Sequence, residues 1–313
     1  MPRIVYLTPY THVLSGGAKM VYRHVEALNA FGLKAVVRHP SKIAPPRWFD
    51  HDVPTEDETA PLPPDDILVL PEDSPDGLNR CAGLPNPKVI FCQSLVGMPA
   101  YFELSVPPEV RARYRTFMTC SEGVAAFVAR FFDYDRISVV PAFADERTFR
   151  PAAKEKLIAC SPRKRVFEQR AIQYLFKRLH PTAADWRWEL LETATEQQTA
   201  EVMGRAAVLL SLARMEASCL TNLEAMASDC LVAGFTGIGP REYTSPTNGL
   251  WVDEDDCEAA ARALSRACSM IETGGGEAAL MRHAGRATAA RWSRAVFLEN
   301  LRAFWVDQMG VTA

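Results

Sequence analysis

Two acids eight residues apart, Glu216 and Glu224, are the groups in this chain best placed for chemistry on a polar ligand. Glu216 follows an apolar run, VLLSLA, that reads as a buried parallel strand. Glu224 lies in the opening turn of a helix, NLEAMAS. A second apolar run, CLVAGF, leads into the turn Gly237-Ile238-Gly239-Pro240. Strand, loop, helix, strand, turn is half of an open α/β domain, whose ligands sit at the carboxyl ends of its strands. Both glutamates fall at such an end, beside a helix N-terminus whose N–H groups favour a phosphate. The arrangement suits a nucleotide-sugar.

Three other clusters carry chemistry. Ser161-Pro162-Arg163-Lys164-Arg165 follows an apolar strand, and cations at a strand's carboxyl end are suited to a diphosphate. Arg163 and Lys164 are the first choice and Arg165 the reserve; the alternative is a solvated basic run. Ser15-Gly16-Gly17 stands at the first strand-to-helix turn, where Gly16 and Gly17 allow either close backbone approach to a phosphate or a tight turn. His12 and Gln93 are acceptor-side candidates beside that turn and after the strand VIFC. Thr221-Asn222-Leu223-Glu224 also reads as a capping box, which would give Glu224 a structural role instead. Glu216, in a loop after a buried strand, has only the alternative of a solvated acid. No D-x-D motif is placed to chelate a metal, and the adjacent acids Asp65-Asp66 and Asp255-Asp256 read as solvated loop residues.

The run Glu216-Ala217-Ser218-Cys219-Leu220-Thr221-Asn222-Leu223-Glu224-Ala225-Met226-Ala227 resembles the hallmark of the retaining glycosyltransferases of family 4, E-G-F-G-L-P-x-x-E-A-M-A. Both acids, the leucine and the E-A-M-A tail match, while Ala217, Cys219 and Thr221 stand in place of the two glycines and the proline. The stretch Val140-Pro141-Ala142-Phe143-Ala144-Asp145, with Phe149-Arg150-Pro151, resembles the family's interdomain linker. The resemblance implies a GT-B fold: two Rossmann-like, doubly wound α/β domains facing across a cleft, with a last helix crossing back to the N-terminal domain. It implies that Glu216 contacts the transferred sugar and is important for catalysis, and that Glu224 accepts hydrogen bonds from the donor ribose. It further implies that Arg163, Lys164 and Arg165 stabilise the leaving diphosphate. Backbone around Leu220 and Thr221, and across the cleft around Gly16 and Gly17, would approach the same phosphates. No metal or other cofactor is expected, because cations and a helix dipole neutralise the leaving group.

The elements that must hold these residues are legible as alternation. Residues 3–8, 34–38, 66–71, 88–93 and 117–121 read as strands, with helices over 18–31 and 122–131. The proline-rich, charged stretch 41–64 reads as a surface excursion. A second set begins with a strand over 156–160 and ends in helices over 257–273, 277–291 and 293–308. The expected domains are therefore 1–150, 151–292 and a crossing helix 293–313, with Trp292, Phe297, Phe304 and Trp305 available for its contact.

Composition fits this reading. A chain of 313 residues, 48% of them hydrophobic, is long enough for two cores, and a net charge of −3 gives no reason to expect nucleic acid as the main partner. Eight scattered cysteines without C-x-x-C spacing, and no signal-like N-terminal segment, point to a reducing cytoplasm. No apolar run approaches the roughly 20 residues of a membrane span. The segment 107–117, PPEVRARYRTF, is either a solvated helix or a peripheral contact with an anionic membrane face. The expected reaction is transfer of a sugar from a nucleotide-diphosphate donor to a hydroxyl of a polysaccharide, glycolipid or metabolite. The alternative is a GT-B-fold protein without turnover that binds a nucleotide-sugar or serves as a partner subunit. A Rossmann dehydrogenase is disfavoured, since Gly16-Gly17 lacks the G-x-G-x-x-G spacing.

Overall fold

The apolar runs of the first part of the chain become seven parallel strands. These are β1 (Ile4–Leu7), β2 (Ala35–His39), β3 (Thr55–Asp57), β4 (Ile67–Pro71), β5 (Lys88–Cys92), β6 (Phe117–Thr119) and β7 (Ile137–Val139), in the order β3-β2-β1-β4-β5-β6-β7. The computed structural model describes residues 2–8, 14–41, 44–134 and 136–312. Central strands such as IVYL and KVIFC are apolar along most of their length because a parallel sheet is covered on both faces. Helix α1 (Gly16–Ala30) connects β1 to β2 and buries Met20, Val21, His24, Val25 and Leu28, the face its spacing predicts. Helices α2 (Pro75–Ala82), α3 (Pro108–Arg111) and α4 (Glu122–Phe132) fill the later crossovers.

The excursion expected over 41–64 contains strand β3, which extends the sheet beside β2. Its sequence, TED, has no apolar pattern, and its middle residue is held by charge. Glu56 accepts from Arg3 at 2.9 Å and from Arg38 at 2.6 Å.

The second part of the chain forms five parallel strands, β8 (Glu155–Cys160), β9 (Arg187–Leu190), β10 (Ala206–Leu212), β11 (Leu231–Phe235) and β12 (Leu250–Val252), ordered β12-β11-β10-β8-β9. Alternate residues feed two cores, as a period of two requires. Ile158, Cys160, Val208 and Leu210 face α5 (Val166–Leu179) and α8 (Cys257–Glu272). Leu157, Ala159 and Leu209 face α6 (Glu196–Arg205), α7 (Leu220–Ala227) and the end of α9 (Gly276–Ala290). The helices leaving β8 and β10 therefore diverge to opposite faces, and the topological switch point of this sheet lies between those two strands.

The chain divides into two compact units, Met1–Ala142 with Ala295–Ala313, and Phe143–Arg294. Helix α10 (Arg294–Arg302) and the π-helical turn Ala303–Gln308 carry the C-terminal segment back into the first unit. There Phe297 lies 5.1 Å from His24 and Trp305 lies 6.4 Å from Tyr6, ring centre to ring centre. Burial drives His24 down to about 3, so it is a neutral core group; its Nδ1 lies 3.0 Å from the Tyr6 hydroxyl. Trp292, expected to serve the same contact, belongs instead to the second unit, where it packs edge-on to Tyr243. All eight cysteines are free thiols. No helix among the described residues is long and apolar enough to cross a membrane.

Candidate functional site

Pairing of β8 with β10, in register from Val208↔Ile158 to Leu210↔Cys160, brings the loops that follow the two strands side by side. Between them lies a cavity of about 450 Å³, counting its open mouth. Ser161, Pro162, Arg163 and Lys164 line it from the β8 side. Ser211, Arg214, Glu216 and Cys219 line it from the β10 side, and Thr221 and Asn222 from the first turn of α7. Arg163, Lys164, Glu216 and Thr221, widely spaced in sequence, thus share one cavity at the switch point, where ligands of open α/β sheets bind.

The loop carrying Glu216 is clamped from beneath. The Gly239 N–H donates to the Glu216 carbonyl at 3.1 Å, and the Ile238 N–H to the Arg214 carbonyl at 3.0 Å. Gly239 lies so close that a Cβ there would overlap the Glu216 and Ala217 carbonyl oxygens. The Tyr243 hydroxyl donates to the carbonyls of Ser218 at 2.9 Å and Cys219 at 3.3 Å. Two cavity residues hold the left-handed backbone that residues with a Cβ seldom adopt, Arg163 at φ 31° and Cys219 at φ 48°. Backbone strain of this kind clusters at functional sites.

Two polar atoms of the cavity wall are left open. Glu216 Oε2 and Asn222 Nδ2 are both buried without a hydrogen-bond partner, and Asn222 as a whole is 1% exposed. The Asn222 amide lies beside the Tyr243 hydroxyl but makes no hydrogen bond of good geometry. An open acceptor and an open donor on one cavity wall call for a ligand bearing hydroxyl or phosphate oxygens. Desolvation, reinforced by the Glu216 carboxylate, pushes the Cys219 thiol well up, so the thiol is neutral. Asn222 was missed in sequence because a lone asparagine in a helix start carries no signal before its burial is known.

Several expectations are corrected. Helix α7 begins at Leu220 with Cys219 as N-cap and no side-chain cap, so Thr221-x-x-Glu224 is not a capping box. A left-handed Cys219 starts the helix two residues early, which puts Thr221 on the cavity wall and Glu224 in the second turn, 5% exposed and outside the cavity lining. Leu220 also lies outside the lining. Arg165 is not available to a ligand. It is 1% exposed, donates to Glu254 at 2.7 Å and Glu168 at 3.1 Å, pairs with Asp255, and stacks over the Phe235 ring at 4.8 Å. The Arg165 guanidinium in turn holds Asp255 below the usual carboxylate range.

In the first unit, Gly16 and Gly17 open α1 behind the N-cap Ser15, whose Oγ accepts from the Ala18 N–H at 3.4 Å. A Cβ at Gly17 would stand 3.2 Å from Gln93 Oε1, so this unit brings two of the expected residues together. The Gln93 N–H donates at 2.9 Å to Glu72, a residue sequence inspection passed over. Glu72 follows β4 at the carboxyl edge, and burial, with Asp73 beside it, raises its carboxyl to about 8. His12 lies outside the described residues. Among the described residues no group of three or more His, Cys, Asp or Glu side chains is placed to hold a metal ion.

No family model matches the chain. An alpha-1,6-glucosyltransferase of Actinobacillus pleuropneumoniae serotype 7 (strain AP76) is 33% identical over 125 residues, which is 38% of this chain and 38% of that protein's length. Among solved structures, a sucrose-phosphate synthase from Thermosynechococcus elongatus matches with a TM-score of 0.73 at 15% identity, over 100% of both chains. Anabaena Alr3699/HepE in complex with UDP-glucose matches with a TM-score of 0.70 at 11% identity, over 97% of this chain and 99% of the other. The chain has the GT-B fold. Likeness at such identities concerns fold alone, and what the cavity does rests on its own residues.

Proposed function

We propose that the cavity of the second unit binds the diphosphate and sugar of a nucleotide-sugar, and that the protein transfers the sugar to a hydroxyl acceptor as a retaining, family-4-like glycosyltransferase. One observation carries this reading: two cations, Arg163 and Lys164, and an unpartnered acid oxygen, Glu216 Oε2, line one cavity that the first turn of α7 also borders. The cations and the helix end suit a diphosphate. Glu216 Oε2 suits a sugar hydroxyl, and Asn222 Nδ2 can donate to an oxygen of either part.

In this mechanism the bond from the anomeric carbon to the β-phosphate oxygen breaks while the acceptor oxygen bonds to the same face. The acceptor proton passes to the departing phosphate oxygen, so no side-chain base is required. Arg163 and Lys164 offset the charge that develops on the diphosphate, a role preorganised electrostatics fills without a metal. Glu216 orients the sugar through a hydroxyl, and Glu224 supports the ribose from the second turn of α7. The free thiols support a cytoplasmic location. The alignable segment of the glucosyltransferase relative supports a hexose as cargo, with a saccharide or lipid-linked acceptor.

The second reading, a nucleotide-sugar binder without turnover, is favoured by the Cys219 side chain in the cavity wall where the resembling family has glycine. The test is turnover of UDP-glucose, the ligand of one solved neighbour, followed by NMR of the released sugar. The leading reading expects α-configured product, lost in Glu216→Gln with UDP binding retained. UDP binding without turnover of any sugar in a panel of UDP-, GDP- and ADP-sugars selects the binder. Absence of any nucleoside-diphosphate binding removes both.

A further inference from the structure

Cys219 occupies a left-handed backbone conformation, φ 48° and ψ 75°, at the point where α7 begins and the cavity wall turns. Glycine reaches this region freely, whereas a residue with a Cβ needs its surroundings to hold it there. The surroundings supply a phenol. Tyr243, 4% exposed, directs its hydroxyl onto the Ser218 carbonyl at 2.9 Å and the Cys219 carbonyl at 3.3 Å, flanking the strained residue on both sides. Tyr243 is itself fixed: its carbonyl accepts from Asn248 at 2.7 Å, and its ring packs on Trp292 at 5.7 Å.

In a trans peptide the N–H points opposite to the C=O. Anchoring the carbonyls of Ser218 and Cys219 on one hydroxyl therefore turns the N–H groups of Cys219 and Leu220 away from Tyr243. These are the donors that open α7. We infer that Tyr243 is a positioning residue which holds the Cys219 turn in a glycine-like conformation and so keeps the first turn of α7, with Thr221 and Asn222, on the wall of the cavity that takes the ligand. The hydroxyl thus substitutes for the backbone freedom that Cys219 lacks. The ligand-binding half of this inference rests on the nucleotide-sugar reading; the backbone half does not.

The experiment is a double-variant cycle of Tyr243→Phe and Cys219→Gly, read by UDP calorimetry and by thermal unfolding. Removing one buried hydroxyl bond leaves the ring packing intact. In the Cys219 background Tyr243→Phe is expected to weaken UDP binding about tenfold and to lower the Tm by about 3 °C. In the Cys219→Gly background the same change is expected to alter UDP affinity less than about twofold and to lower the Tm by less than in the Cys219 background, because glycine adopts the turn without strain while the lost hydrogen bond costs the same in both. Equal effects of Tyr243→Phe in both backgrounds, on affinity or on Tm, overturn the inference. Wild-type protein that ignores UDP, GDP and ADP alike defeats the functional reading instead, and the Tm cycle still decides whether Tyr243 holds the turn.

Discussion

Gly239→Ala tests whether the loop bearing Glu216 is set by the loop beneath it. A methyl group at position 239 would overlap the carbonyl oxygens of Glu216 and Ala217, so the two loops must part by about 1 Å before any side chain fits. That separation strains or breaks two backbone hydrogen bonds, Gly239 N–H to Glu216 and Ile238 N–H to Arg214, at 3.1 and 3.0 Å. Net losses of about 1 kcal/mol per bond, added to an overpacking penalty of about 1–2 kcal/mol, give about 3–4 kcal/mol of destabilisation. Scanning calorimetry reads this as a Tm lower by roughly 6–16 °C. Displacing a reacting group by 1 Å costs about a hundredfold in rate, so sugar turnover should fall by that order while the protein stays folded. Gly83→Ala is the control, since a Cβ there meets nothing within 4 Å. A Gly239→Ala protein that melts and turns over like wild type would refute the clamp.

Two further outcomes follow from buried charge. Glu72 ionises near 8 in the native protein against about 4.5 when exposed, so between those values the unfolded chain has released a proton that the native state keeps. Stability contributed by this site therefore falls as pH rises through that window, by an amount on the order of a few kcal/mol. Urea titrations at pH 5 and pH 8.5 should show Glu72→Gln less pH-sensitive than wild type; parallel profiles contradict the burial. Arg165→Met should lower stability by about 2 kcal/mol, less than a fully buried pair would cost because Glu254, Glu168 and Asp255 keep some solvent. UDP affinity in that variant should change less than about threefold. Lost binding at unchanged stability would return Arg165 to the ligand site.

Much of the second unit was legible because its signals are local. VLLSLA and CLVAGF read as buried strands from composition alone, and the pairing of β8 with β10 places the loops that follow them side by side, so Arg163, Lys164 and Glu216 line one cavity. What sequence could not reveal depends on distant partners. Arg165 resembles its neighbours until Glu254 and Asp255, 89 and 90 residues away, are folded against it. The reading of Thr221 as a cap failed because one backbone angle, at Cys219, starts the helix early. Strand β3 is invisible to a hydrophobicity pattern because its place at the sheet edge is fixed by Glu56 and two arginines. Glu72 was hidden because its burial comes from the approach of Gly97, where a Cβ would meet the carboxyl at 2.6 Å.

The most direct measurement is calorimetric titration of UDP into wild-type protein, Arg163→Ala and Lys164→Ala at two salt concentrations. Wild-type protein should bind, each variant should bind about tenfold more weakly, and the difference should shrink as salt rises. Binding that is indifferent to both cations, or no binding at millimolar nucleotide, would contradict a diphosphate site between β8 and β10.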